Sequence, residues 1–255
     1  MSDHHATARQ TPVPRIAFAL DFASVEEARA AAREVAPAIG MLKVGLELFI
    51  HAGPSIVALG KEVGLPVFLD LKLHDIPETV DRAVAQAAAL GARLVTVHAS
   101  GGRAMLRRAV ARAKESGYLS VCAVTILTSL DDADIDDLGI DPAKLKTAAT
   151  EGRSRASLAA EHLARLAFEE GVRWFVCSPA EVSAIRAALG KEATLVTPGV
   201  RPASSDKGDQ KRVATPEQAI KDGSDWLVIG RPIRDAPDRL AAARSIGDAI
   251  AKARA

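Results

Sequence analysis

The chain has 255 residues, 48% hydrophobic and 25% charged, which is too apolar for a disordered polypeptide and long enough to bury a large core. Its formal net charge of +1 gives no general attraction for nucleic acid, and no apolar run approaches the roughly 20 residues that span a bilayer. Aromatics supply only 4%, so aliphatic residues must build the core, which favours packed helices and buried parallel strands over a β-sandwich.

Residues 1–14 are polar and proline-bearing, unlike a secretory signal, and are expected to form a disordered leader before one domain spanning 15–255. From there, short β-branched runs alternate with Ala-rich amphipathic stretches, each run bounded by Gly, Pro or Asp. The spacing predicts strands at Ile16–Asp21, Met41–Gly45, Val67–Lys72, Leu94–His98, Ser120–Thr125, Trp174–Cys177, Thr194–Thr197 and Trp226–Ile229. Helical patterns occupy Val25–Ala36, Ser55–Val63, Pro77–Leu90, Arg103–Glu115, Leu158–Glu170, Ala180–Leu189, Pro216–Asp222 and Ala236–Ala253. Ser24 and Glu27 have the spacing of a capping box at the first of these helices. Leu130–Ala156 breaks the rhythm, acidic first and then basic and small, and is expected to wrap the outside as a loop with a short helix and a solvated charged face.

Eight βα units in this length predict an α/β fold, a single (β/α)8 TIM barrel with its active site at the C-terminal ends of the strands. An open doubly wound sheet has the same alternation, but neither the G-x-G-x-x-G fingerprint nor the P-loop pattern is present to support it. Cys122 and Cys177 each lie in an apolar run and are expected to be buried thiols of a reducing compartment, which points to the cytoplasm.

The strand ends carry unusual charge. Asp21 closes the first, Lys43 lies in the second, and the third runs Asp70-Leu71-Lys72-Leu73-His74-Asp75. Side chains alternate along a strand, so Asp70 and Lys72 share a face. A lone Asp-x-Lys pair reads equally well as a structural salt bridge, but charges converging from three neighbouring strands are costly to bury and are more readily explained by catalysis. Thr197-Pro198-Gly199-Val200-Arg201-Pro202 follows the seventh strand and Gly230-Arg231 the eighth, where barrel enzymes commonly hold phosphate. Arg201 and Arg231 suit charge-assisted contacts to such a group, with ordinary surface arginines as the alternative. Ala203–Arg212 has the composition of a mobile lid. His4 and His5 lie in the leader; His51, His74, His98 and His162 have no metal-ligand spacing, although His98 ends a strand and is a candidate pocket residue.

With Asp21, Lys43, the D-x-K-x-x-D-I-P-x-T block from Asp70 to Thr79, Leu127-Thr128-Ser129, Thr197–Pro202, Gly208-Asp209-Gln210-Lys211-Arg212 and Ile229-Gly230-Arg231 in order, the chain from about Arg15 to its last helix resembles the orotidine 5′-phosphate decarboxylase family. The resemblance implies a homodimeric barrel with no metal and no organic cofactor, converting orotidine 5′-phosphate to UMP and CO2 in pyrimidine synthesis. It also implies Lys72 as proton donor to C6 of the pyrimidine and Asp70 as the carboxylate set against the departing CO2. Lys43 and Asp75 complete an alternating charge array, and Asp75, Ile76 and Thr79 reach into the partner's site. Asp21 and Lys43 hold ribose hydroxyls, Thr128 and Ser129 the pyrimidine side, and Pro198, Arg201, Gln210, Gly230 and Arg231 the phosphate end. The chain departs from the family pattern in residues 1–14, which have no counterpart, and around Leu145–Ala156, which is a few residues longer.

Related barrels acting on sugar phosphates share Asp-x-Lys-x-x-Asp but carry an acidic residue in place of Lys43 and use Mg2+. Lys43, Ile76-Pro77 and Gly208–Arg212 argue against that reading. A non-catalytic nucleotide-binding barrel is expected to lack Lys72 or Asp70, and both are present.

Overall fold

Short apolar strands with both faces covered pair most readily in parallel, and long amphipathic helices supply the cover. In a computed structural model of the chain, residues 14–145, 147, 152–201 and 214–254 are described. Eight parallel strands close there into a barrel in sequence order: β1 Ile16–Ala19, β2 Met41–Gly45, β3 Val67–Leu73, β4 Leu94–His98, β5 Ser120–Val124, β6 Trp174–Val176, β7 Thr194–Thr197 and β8 Trp226–Ile229. The expected (β/α)8 barrel is therefore the observed fold. Pro14 apart, the expected leader lies outside the described residues, as does all of the expected lid.

The helices are α1 Val25–Val35, α2 Leu46–Ala52, α3 Leu59–Val63, α4 Pro77–Ala89, α5 Gly102–Glu115, α6 Asp132–Asp137, α7 Arg155–Glu169, α8 Val182–Leu189, α9 Pro216–Lys221, α10 Arg231–Arg234 and α11 Arg239–Arg254. Ser24 caps α1, its hydroxyl accepting from the Glu27 amide and donating to Glu26, but the expected box stays half-formed, without the return bond from the Ser24 amide to the Glu27 carboxylate. A true capping box forms at α6, where Asp131 and Asp134 satisfy each other's backbone amides. That helix and a 3-10 turn at Pro142–Lys144 are the regular elements that precede α7 in the described part of this segment, and Asp132 accepts the Ala156 amide at 3.0 Å, tying it to α7. The stretch expected as one helix at Ser55–Val63 is a 3-10 turn, Pro54–Ala58, followed by α3.

Strand alternation divides the core in two. Ile16, Phe18, Leu42, Val44, Val67 and Leu69 point outward into the layer shared with the helices. Ala17, Met41, Phe68, Leu94, Cys122, Val196 and Trp226 form a separate cluster inside the barrel. Trp174 and Trp226 lie 6.4 Å apart, with Arg15 over the Trp226 ring, and plug its N-terminal end. Cys122 and Cys177 are buried free thiols, as expected. Climbing one step along the inward face exchanges apolar for polar: Met41 gives way to Lys43, Phe68 to Asp70 and Leu94 to Thr96.

β3 departs from simple alternation. Leu69 pairs with Val95 and Leu73 with Val97, so four steps along β3 match two along β4. The extra residues form a bulge containing Lys72, the only non-glycine with positive φ among the described residues, at 51°.

The outer core sets the stability of this scaffold. Phe18 is fully buried and meets Phe22 edge-on at 6.4 Å. Phe18→Ala should lower the unfolding free energy by about 3–5 kcal/mol in urea denaturation; a loss under about 1 kcal/mol would show that the layer repacks freely.

Candidate active site

The four charged strand-end side chains meet as a chain of alternating sign. Lys43 Nζ lies 3.2 Å from Asp21 Oδ1 and 3.6 Å from Asp70 Oδ2. Lys72 Nζ donates to both oxygens of Asp70 at 2.9 Å. Lys43 is nearly buried, and its ammonium runs past Gly45, where a Cβ would stand 2.9 Å from Nζ and 3.3 Å from Asp21 Oδ1. Glycine at position 45 is thus what leaves room for the pair. The same-face expectation for Asp70 and Lys72 holds, but a bulged backbone achieves it in place of a regular strand.

Burial of Asp70 opposes its ionisation, yet the charges of Lys43 and Lys72, with hydrogen bonds from Lys72 and Thr96, hold its carboxyl below the usual carboxylate range. Thr96, on β4 and fully buried, was not a candidate from sequence. Its hydroxyl donates to Asp70 Oδ1 at 3.0 Å and accepts the Lys72 backbone amide at 2.7 Å. A non-glycine residue in the left-handed region costs on the order of 1–3 kcal/mol, and such strain persists where neighbours over-determine it.

A cleft of ≈ 260 Å³ opens above this array at the C-terminal ends of the strands. Asp21, Lys43, Asp70, Lys72, Thr128, Pro198, Arg201, Gly230 and Arg231 all line it, so most residues singled out by sequence do converge. Gly199 adopts φ 76° and turns the chain after β7 so that Arg201 comes back over the barrel mouth, almost fully buried. Gly230 precedes α10, whose first residue is Arg231. Ala19, Val124, Val176 and Val228 make the apolar floor and wall.

Other candidates lie elsewhere. Ser129 is exposed and outside the lining, and Asp75, Ile76 and Thr79 are exposed on the loop and first turn that follow β3. Asp75 accepts the Ile76 amide at 2.6 Å and does not join the array within this chain. Gln210 lies outside the described residues. Arg234 also lines the cleft, donates to the Asp21 carbonyl at 3.0 Å and pairs with Asp235; its position one helical turn from Arg231 was the available signal. His98 does not line the cleft but packs on His74, with ring centroids 5.3 Å apart.

A closed parallel barrel with a charged cleft at the C-terminal ends of its strands is the arrangement of the (β/α)8-barrel enzymes. Within that class the chain belongs to the Orotidine 5′-phosphate decarboxylase / HUMPS family, whose model matches residues 14–246. It is 52% identical over 235 residues to "Orotidine 5′-phosphate decarboxylase" of Anaeromyxobacter sp. (strain K), covering 92% of this chain and 97% of that one. The protein of the same name in Thermobifida fusca (strain YX) is 48% identical over 240 residues, covering 93% and 96%. Among solved structures, orotidine 5′-phosphate decarboxylase from Lactobacillus acidophilus superposes with a TM-score of 0.78 at 32% identity, covering 93% of this chain and 99% of that one.

Partial burial, then the charges of His74 and Lys72, push the His98 imidazole below its ordinary value of 6.5, outweighing the opposite pull of Asp70. The folded chain therefore binds fewer protons here than the unfolded one just below that pH. Its contribution to stability is present above about 6.5 and lost as pH falls through the lowered folded value. An NMR titration of the His98 ring should give a midpoint below 6.5; a midpoint at or above it would contradict the burial and like-charge surroundings described.

Proposed function

We propose that this chain is a lyase that decarboxylates orotidine 5′-phosphate to UMP and CO2 in pyrimidine biosynthesis, without metal or organic cofactor. The observation that carries this reading is the Lys43–Asp70–Lys72 array, with the Lys72 ammonium held 2.9 Å from a carboxylate at the floor of the cleft.

Breaking the bond from C6 to the carboxylate leaves an electron pair in the plane of the ring, outside the π system. Delocalisation is unavailable, so fixed charge must stabilise the pair. The Lys72 ammonium supplies that charge and then the proton that C6 receives. Asp70 and Lys43 keep it oriented, a preorganised arrangement that costs no reorganisation during the reaction. Asp70 also faces the substrate carboxylate; two unit charges about 4 Å apart interact by roughly 4 kcal/mol at an effective dielectric of 20, which raises the ground state. Lys72 is the larger contributor, because its interaction strengthens as the carbanion develops.

Asp21 and Lys43 bind ribose hydroxyls, while Thr128, in the cleft lining, contacts the pyrimidine. Pro198, Arg201, Gln210, Gly230 and Arg231 hold the phosphate. Binding energy gathered there, remote from the reacting bond, is available to lower the barrier at C6. The protein acts as a homodimer in the cytoplasm, with Asp75, Ile76 and Thr79 completing the partner's site.

The related sugar-phosphate chemistry within the family needs Mg2+. Here the Lys43 ammonium stands between Asp21 and Asp70, where a divalent cation would meet like charge, which favours the metal-free reading. Purified protein incubated with orotidine 5′-phosphate should deplete the pyrimidine absorbance equally with and without chelator, and Lys72→Ala should abolish UMP formation while remaining folded. Mg2+-dependent turnover of a ketose phosphate, or near-normal turnover by Lys72→Ala, would overturn the assignment. Arg231→Ala should lower kcat/KM by about 10²-fold, equivalent to roughly 3 kcal/mol for a charge-assisted contact. An unchanged kcat/KM would remove Arg231 from the phosphate site.

A further inference from the structure

The bulge in β3 leaves a specific vacancy in the ladder. Val95 and Val97 of β4 pair with Leu69 and Leu73, and the residue between them, Thr96, which is in register with Cys122 of β5, has no register partner in β3. The Lys72 amide in the bulge turns instead to the Thr96 hydroxyl at 2.7 Å. A hydroxyl has one proton and two lone pairs. The Thr96 proton goes to Asp70 Oδ1 at 3.0 Å, leaving a lone pair for the amide, so the two bonds are compatible and use the group in both senses.

Both contacts occur at a fully buried position, where a β-branched side chain has restricted χ1. One oxygen is therefore fixed to the backbone of the strained residue and to the carboxylate that orients its ammonium. During proton delivery the Lys72 ammonium must give up part of its hold on Asp70. The Thr96 bond to Oδ1 does not depend on that ammonium and keeps the carboxylate in place.

We propose that Thr96 is a positioning residue of the reaction: its hydroxyl locks the left-handed Lys72 backbone and the Asp70 carboxylate into one geometry. This rests on the decarboxylase reading only for its kinetic arm, since the structural arm concerns the Lys72 amide itself. Thr96→Val keeps the shape but removes both bonds, whereas Thr96→Ser keeps the hydroxyl and removes only the methyl.

The tests are hydrogen exchange at the Lys72 amide and steady-state kinetics with orotidine 5′-phosphate. Exchange should be slow in the wild type and Thr96→Ser and about 10-fold faster or more in Thr96→Val. In Thr96→Val kcat should fall roughly 10- to 100-fold with KM changed by less than about 3-fold, and Thr96→Ser should restore most of it. Wild-type protection and kcat in Thr96→Val would overturn the proposal. So would equal losses in the Val and Ser variants, which would assign the effect to methyl packing. If Thr96→Val does not fold, Thr96→Cys replaces it: the thiol is a poor donor, and activity equal to that of Thr96→Ser would refute the role of the hydroxyl. A wild type inactive on orotidine 5′-phosphate would count against the decarboxylase reading, while the exchange comparison would still decide the role of Thr96.

Discussion

The cleft depends on one carboxylate, Asp70, ionised inside a barrel. Desolvation works against that charge, and only two ammoniums and a hydroxyl within reach make it tolerable. The dependence is mutual. Without Asp70, Lys43 and Lys72 would face each other across the same space with no anion between them. Their positions are in turn set by neighbouring strands, since Lys43 is in register with Phe68 and Gly45 with Asp70. The ion pairs thus require the closed barrel, and the barrel top tolerates buried charge only because the pairs are complete.

The bulge in β3 belongs to the same constraint. A regular strand would let Lys72 donate its amide to the ladder and point its side chain by alternation alone. Instead two extra residues lift Lys72 out of register, the left-handed backbone turns its side chain back over Asp70, and the displaced amide finds a side-chain acceptor in β4. The strain is confined to one residue and is held by bonds on both sides of it. Below that level the interior is apolar and regular, with Phe68, Leu94 and Met41 in one packed cluster, so the base is rigid where the top is strained.

The strands are legible in the sequence almost residue for residue because each is a short run dominated by apolar side chains set between longer amphipathic stretches, and a closed parallel barrel needs little else. Helices were legible where one face meets the core, as in α1 and α4, and illegible where that condition fails. In α2 only Leu48 is buried while Leu46 and Ile50 face outward, so no amphipathic stripe marks it, and α10 spans a single turn. Asp21, Lys43, Asp70 and Lys72 were found because charge at strand ends is conspicuous. Thr96 was passed over because a threonine in a strand is unremarkable by composition, although alternation from Leu94 already placed it on the inward face. The bulge had no signal at all: Asp70 and Lys72 satisfy period-two spacing whether or not the backbone between them is regular.

The near-zero net charge gains a spatial meaning from this arrangement. Asp21, Lys43, Asp70 and Lys72 cancel within a few ångströms, so the floor of the cleft exerts short-range, directional fields and little net attraction. Arg201, Arg231 and Arg234 line the same cleft from the segments that follow β7 and β8, with Arg234 donating to the Asp21 carbonyl and paired with Asp235. The cleft therefore presents two kinds of charge, a lysine–carboxylate array from β2 and β3 and guanidiniums from the segments after β7 and β8. Which charges share the cleft thus follows from the strand register that sets Lys43 beside β3 and from the turns that bring Arg201 and Arg231 back over the barrel after β7 and β8.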